Sequence, residues 1–142
     1  EKPGRVAVQT FMPDDPTIRA ALDGDYGRFA QRELQLRERV GQPPFARMAR
    51  IIVRDQDEKK LAQRCQQLVV ALGPAVASEN AVTLRGPQPC AISRISGYWR
   101  QQILLSAPSV LPLQRVLSRA RSAGNFATND RIAVDVDPVS LL

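Results

Sequence analysis

The sequence has no histidine, only two cysteines and few aromatic side chains, and each shortage excludes a class of function. Without histidine, the Ser-His-Asp and Cys-His catalytic arrangements are impossible, and a zinc site is close to excluded. Cys65 and Cys90 lie far apart and form no metal-ligand motif, so they predict incidental thiols of a cytoplasmic protein. Aromatic residues make up 5% of the chain, so the core has to be aliphatic.

Long apolar runs and nucleotide-binding motifs are also missing. No stretch approaches the roughly 20 apolar residues of a membrane span, and no signal peptide opens the chain. There is no Gly-rich phosphate-binding loop with its lysine. Asp135 and Asp137 have no second acid-base residue with which they could catalyse a reaction. We therefore predict no catalytic residue, no metal, no cofactor and no membrane contact for this chain. Because it opens on Glu1 without methionine, we expect it to be part of a longer protein.

Acidic residues are absent between Glu79 and Asp130, and the positive charge is concentrated in the second part of the chain. Residues 1–45 carry seven basic and seven acidic side chains, whereas residues 46–142 carry thirteen and seven, which accounts for the whole net charge of +6. Seventeen of the 20 basic residues are arginine, which binds phosphate in two-point geometry and stacks on bases. The pattern fits a polyanionic partner, or else an ordinary solvated surface that is rich in arginine.

The first 45 residues predict a short strand followed by two helices. Alternating apolar residues indicate a strand over residues 5–11. Asp15-Pro16 is typical of a helix start, and Gly41 followed by two prolines ends the second helix. The helices are expected over residues 17–22 and 26–40. The charge balance changes near residue 45, where we place a domain boundary.

Residues 46–142 predict four strands and two helices in the order βαββαβ, the split-βαβ arrangement of an α+β domain. In this arrangement two helices cover one face of a four-stranded sheet, and the first and third strands lie antiparallel in its centre. The strands are expected at residues 47–54, 81–84, 99–106 and 131–136, and the helices at 57–72 and 109–123. A loop interrupted by prolines joins the second and third strands.

Side-chain alternation along the two central strands predicts which residues face away from the helices. The apolar residues of the first strand should face the helices, so Arg50 and Arg54 should lie on the open face. The same reasoning puts Arg100 and Gln102 on the open face and Trp99 on the helix side or at its edge. Because the end of one strand meets the start of the other, Arg54 and Arg100 should be neighbours. Facing arginines are tolerated mainly where an anion lies between them.

Residues 96–102 are the most suggestive stretch for binding. They place Tyr98, Trp99 and Arg100 at the start of a strand. Aromatic rings stack on unpaired bases while arginine holds phosphate, so this combination suits single-stranded nucleic acid. The alternative interpretation is that Trp99 is simply a core residue at the start of its strand.

The closing helix carries a second candidate surface. Gln114, Arg115 and Arg119 lie on its polar side, and cations near a helix C-terminus are also favoured by the helix dipole. These side chains suit phosphate or an acidic peptide. The alternative is an ordinary solvated helix face.

Several short motifs follow one another in a defined order along the chain. They are Gly4-Arg5-Val6, Gln9-Thr10-Phe11, Pro43-Pro44-Phe45, Gly86-Pro87, Trp99-Arg100, Gln102-Ile103-Leu104-Leu105, Pro108-Ser109 and Asp135-Val136-Asp137-Pro138. The ordered set resembles the C-terminal region of the primosomal protein N′ (PriA) family of replication-restart DNA helicases. The resemblance implies that residues 1–45 are the tail of the second helicase lobe. It also implies that residues 46–142 are the C-terminal domain, with a fold similar to a small-subunit ribosomal protein.

The resemblance further implies a docking module of an ATP-dependent 3′-to-5′ helicase that needs ATP, magnesium and zinc, all bound outside this chain. In this family the domain contacts branched or single-stranded DNA and helps to bind the acidic tail of single-stranded-DNA-binding protein during primosome assembly. The residues expected to bind DNA are Arg50, Arg54, Arg94, Tyr98, Trp99, Arg100 and Gln102. The residues expected to bind the partner are Gln114, Arg115 and Arg119. One turn before Gln114, Val110 replaces a basic residue of the family, which predicts weak tail binding.

Two other functions share this fold class. An RNA-binding or ribosome-associated module would share the basic face, although the sequence lacks the aromatic-rich strand of RNA-recognition domains. A small hydrolase of the acylphosphatase type needs an arginine in a phosphate-cradling loop beside the first strand. Arg47 instead follows Pro43-Pro44-Phe45, which argues against a hydrolase.

Overall fold

Residues 4–124 and 131–138 are described by a computed structural model, and they form four helices and four strands. In chain order these are α1 (Pro16–Leu22), α2 (Tyr26–Val40), β1 (Arg47–Asp55), α3 (Glu58–Ala77), β2 (Thr83–Ile95), β3 (Tyr98–Ala107), α4 (Val110–Ser122) and β4 (Ile132–Val136). The chain divides inside α2, between Leu36 and Arg37, into two compact units. The boundary expected near residue 45, where the charge balance changes, stays a prediction.

The N-terminal unit holds α1 and most of α2. The prediction of a strand over residues 5–11 is wrong, because that stretch is irregular and Phe11 is fully exposed. A strand needs a neighbour for its backbone groups, and no strand lies among the described residues of this unit. α1 begins where its sequence indicates, with Asp15 Oδ1 accepting a hydrogen bond from the backbone N–H of Thr17 at 2.7 Å.

The second unit contains one four-stranded antiparallel sheet in the order β2-β3-β1-β4. The first and third strands are its two central members, as the split-βαβ arrangement requires. Their register runs from the pair Arg47 and Ala107 to the pair Asp55 and Trp99. The expected α+β fold class is therefore confirmed.

The core lies between the sheet and the two helices α3 and α4. It is aliphatic, as the low aromatic content predicts. Its largest fully buried members are Ile51, Val53, Leu61, Cys65, Leu72, Ile103, Leu105, Leu113 and Val116. Burial raises the pKa of the Cys65 thiol to about 11, so this cysteine is a packing residue rather than a nucleophile.

Two elements are longer than the sequence indicates. Helix α3 continues through Pro74 to Ala77, because Ala75 is buried in the core and this packing offsets the hydrogen bond that proline cannot donate. The expected loop between the second and third strands belongs to β2, which pairs with β3 through two register shifts. Cys90, expected in that loop, is therefore a buried residue of β2.

Candidate nucleic-acid interface

Two arginines lie side by side on the open face of the sheet, where β1 ends and β3 begins. Arg54 and Arg100 are direct cross-strand partners, so they share a face, as alternation predicts. The guanidinium carbon of Arg54 lies 5.2 Å from the centre of the Tyr98 ring. Arg100 Nη1 donates a hydrogen bond to the Ile92 carbonyl at 3.3 Å. Both guanidinium groups thus have neighbours that limit their movement.

Two other expected DNA-binding residues lie on the same face but are not accessible. Arg50 is 3% exposed and Gln102 is 6% exposed. Each sits in a central strand with neighbours on both sides, and the register partners of Arg50 are Leu104 and Asp135. Alternation fixes the face of a side chain but not its accessibility, which is why the sequence could not separate Arg50 from Arg54.

Arg94 and Trp99 lie on the opposite side of the sheet from Arg54. The guanidinium carbon of Arg94 is 4.9 Å from the centre of the Trp99 ring. Trp99 is partly buried and packs against the core. The seven residues expected to bind DNA therefore divide between two faces of the sheet.

The three residues expected to bind the partner also separate in the structure. Gln114 lines a groove of about 380 Å³ between α4, β4 and the start of β1, together with Leu117 and Arg121. Arg47 reaches the same groove, where its Nη1 lies 3.4 Å from Asp137 Oδ2. The sequence carried no signal for this role of Arg47, because the groove joins elements that are distant in the chain.

Arg115 and Arg119 lie on the flank of α4 that faces the end of α3. Glu79 is close to both, with its carboxylate oxygens 3.7 Å from Arg115 Nη1 and 3.2 Å from Arg119 Nη1. Arg119 also donates to the Ser78 hydroxyl. These two arginines therefore hold α3 against α4, besides any role in binding.

Asp55 lies at the end of β1 on the helix side of the sheet, where it forms two ion pairs and accepts a backbone hydrogen bond. Its side chain is 8% exposed, with Oδ2 lying 3.3 Å from Arg64 Nη1 and 3.2 Å from Arg131 Nη1. Oδ1 accepts a hydrogen bond from the backbone N–H of Asp57 at 3.1 Å. This hydrogen bond, followed by the charges of Arg64 and Arg131, holds the pKa of Asp55 below its usual value. Neither Arg64 nor Arg131 was among the binding residues predicted from the sequence.

Residues that could hold a metal ion do not cluster within residues 4–124 and 131–138. In the same part of the chain, no helix has the length and apolarity needed to cross a membrane.

Comparison with known proteins identifies the family of the chain. Residues 38–139 match the model of the primosomal protein N C-terminal domain. The replication restart protein PriA of Haemophilus influenzae is 32% identical over 142 residues, which cover 99% of this chain and 19% of that protein. PriA of Chlamydia pneumoniae is 30% identical over 138 residues, 97% of this chain and 18% of that protein. The chain thus spans about a fifth of the length of these relatives, and it belongs to the primosomal protein N C-terminal domain family.

Proposed function

We propose that this chain is the C-terminal docking domain of a replication-restart DNA helicase and that the open face of its sheet binds single-stranded or branched DNA. The relatives of the chain carry the name replication restart protein PriA. ATP-dependent unwinding, with its ATP, magnesium and zinc, would belong to the remaining four fifths of such a protein. Residues 1–45 would be the tail of its second helicase lobe. Among the described residues 4–36 only Ala20 is buried, which supports a segment that packs against another domain.

One observation carries the DNA proposal, namely that Arg54 and Arg100 are direct cross-strand partners beside Tyr98. Like charges directly opposite each other repel, and a phosphate placed between them removes the repulsion. Guanidinium groups bind phosphate in two-point geometry, while the tyrosine ring offers a base a stacking surface. A single strand that runs along this end of the open face would contact both the guanidinium groups and the tyrosine ring.

The test is binding of a labelled single-stranded oligonucleotide, followed by fluorescence anisotropy. We expect Arg54→Ala/Arg100→Ala to weaken binding by roughly tenfold, because two charge-assisted contacts are lost. Arg32→Ala/Arg39→Ala is the matched control, since it removes two exposed arginines of α2 and the same net charge. Equal affinities for these two variants would mean that DNA docks elsewhere. A preference for structured RNA of the same length would favour an RNA-binding module instead.

The groove beside α4 is the site that best suits the acidic tail of single-stranded-DNA-binding protein. Its floor is apolar, with Leu113 and Leu117, and its rim carries Gln114, Arg47 and Arg121. An apolar floor with cations at the rim suits a peptide that combines apolar side chains with carboxylates. Arg115 and Arg119 face away from this groove and would contribute through their charge.

Weak tail binding is expected, because Val110 lines the groove where the family carries a cation. In an NMR titration with the tail peptide, the first resonances to shift should be those of α4. Gln114→Ala should weaken binding, whereas Gln66→Ala, an exposed glutamine of α3, should not. Shifts confined to other elements would count against this groove.

A further inference from the structure

A second group of cations surrounds the end of the sheet on the side that carries the helices. Register places Asp55 of β1, Trp99 of β3 and Arg94 of β2 in one row across this face. The row lies on the opposite side of the sheet from Arg54 and Arg100. Trp99 is half-buried and Arg94 is exposed, so part of the stacked pair is accessible to solvent.

Asp55 holds two further arginines at the same place. Arg64 and Arg131 each contact its Oδ2, and their side chains are 40% and 46% exposed, whereas Asp55 is 8% exposed. One buried negative charge therefore orients two half-exposed guanidinium groups, and these three side chains together carry a formal charge of +1. Lys60 also lies near enough to lower the pKa of Asp55.

Two more acids lie near these cations, Asp57 at the N-cap of α3 and Glu58 in its first turn. Asp57 caps the helix, with Oδ1 accepting from the backbone N–H groups of Lys59 and Lys60 at 2.9 and 3.1 Å. Its charge is thereby offset by the positive end of the helix dipole. Glu58 is exposed and opposes the cations, so its removal should strengthen the binding of an anion.

We propose that Lys60, Arg64, Arg94, Trp99 and Arg131, the helix-side cluster, form a second binding site for the phosphodiester backbone of single-stranded nucleic acid. The proposal rests on the proposed function in that the chain binds single-stranded DNA, and a strand on the open face would reach this cluster by continuing around the β2–β3 turn. Guanidinium groups oriented by a buried carboxylate are ready to bind phosphate without further ordering. The accessible part of the Trp99 and Arg94 stack offers a surface to a base.

Trp99 is the only tryptophan of the chain, so the tryptophan fluorescence originates in the helix-side cluster. The experiment titrates the chain with a labelled oligonucleotide of about 16 nucleotides, near the upper site size of single-strand binding folds. Label anisotropy measures total binding and Trp99 emission measures arrival at the cluster. We expect emission to change with the same midpoint as anisotropy.

Arg64→Gln/Arg94→Gln should weaken binding by about three- to tenfold and reduce the slope of log K against log salt by up to roughly 1.4. Arg32→Gln/Arg39→Gln removes the same charge from two exposed positions of α2 and serves as the control. Glu58→Gln should strengthen binding. Circular dichroism verifies folding of each variant, and Arg131 continues to pair with Asp55 when Arg64 is replaced.

Three results separate the second site from the proposed function. If binding depends on Arg54 and Arg100 but Arg64→Gln/Arg94→Gln behaves like its control, the second site is overturned and the proposed function stands. If inorganic phosphate at equal ionic strength changes Trp99 emission as fully as the oligonucleotide does, the cluster takes a free anion only, which also overturns the proposal. If the cluster variant weakens binding while Arg54→Ala/Arg100→Ala does not, the second site stands and the open-face site fails.

Discussion

The carboxylate of Glu79, which follows α3, lies 3.2 Å from Arg119 Nη1 in the last turn of α4, and the Glu79 side chain is only 11% exposed. Replacement Glu79→Gln should lower the free energy of unfolding by about 1 kcal/mol, because a charge-assisted contact in a poorly solvated position becomes a weaker one. Urea unfolding measures the change. Glu38→Gln, an exposed glutamate of α2, is the control and should be close to neutral.

The stability of the chain should fall in acid partly through Asp55. Its pKa is lower in the folded chain than the usual 3.8, so its contribution is fully present above pH 3.8 and is lost as the pH falls through the lowered value. Asp55→Asn should therefore have lower stability at neutral pH and a flatter decline below about pH 4. Chemical unfolding at a series of pH values measures both. A residual decline is expected from Asp15, whose pKa is also lowered, by the backbone N–H groups of Thr17 and Ile18.

Gly86 is required where β2 passes close to β3. Its φ is +106°, and a Cβ atom there would lie 2.7 Å from the backbone oxygen of Gln102. Gly86→Ala should destabilise the chain by about 2 kcal/mol or more, because strain and a backbone clash combine. Gly73→Ala is the matched control, since a Cβ at that helical position meets nothing within 4 Å. It should stabilise by about 0.5 kcal/mol, and an equal loss in both variants would contradict this account.

The N-terminal unit should be dispensable for the fold of the second unit. The core cluster of the described residues is drawn from Ala49 to Ala120, and it includes no residue of the first unit. A chain that starts at Arg37 should keep its melting temperature within a few degrees and should retain the slowly exchanging amides of β1 and β3. A large loss of cooperativity in thermal unfolding would show that the first unit contributes to the core.

Patterns that depend on local periodicity were predictable from the sequence. The alternation in β1 and β3 correctly placed Arg54 and Arg100 on one face and Trp99 on the other. The βαββαβ order likewise followed from helical and strand periods. Both depend only on residues that are near each other in the chain.

Features that depend on distant contacts were not predictable. The strand expected over residues 5–11 does not form, because nothing in its own sequence shows whether a neighbouring strand exists. The prolines of β2 indicated a loop, yet β2 accommodates them because it is an edge strand whose register shifts near them. The ion pairs of Glu79 with Arg115 and Arg119, and of Asp55 with Arg131, join residues far apart in the chain. They could therefore not be predicted from the sequence.

The most direct measurement of the central claim is the salt dependence of single-stranded DNA binding by the chain and by Arg54→Ala/Arg100→Ala. Each phosphate contact on a single strand contributes about 0.7 to the slope of log K against log salt. The account predicts that the double variant loses up to roughly 1.4 units of slope, about equally for all base sequences. The control Arg32→Ala/Arg39→Ala should keep the slope of the parent chain. An unchanged slope and affinity in Arg54→Ala/Arg100→Ala would contradict the claim that this face of the sheet holds DNA.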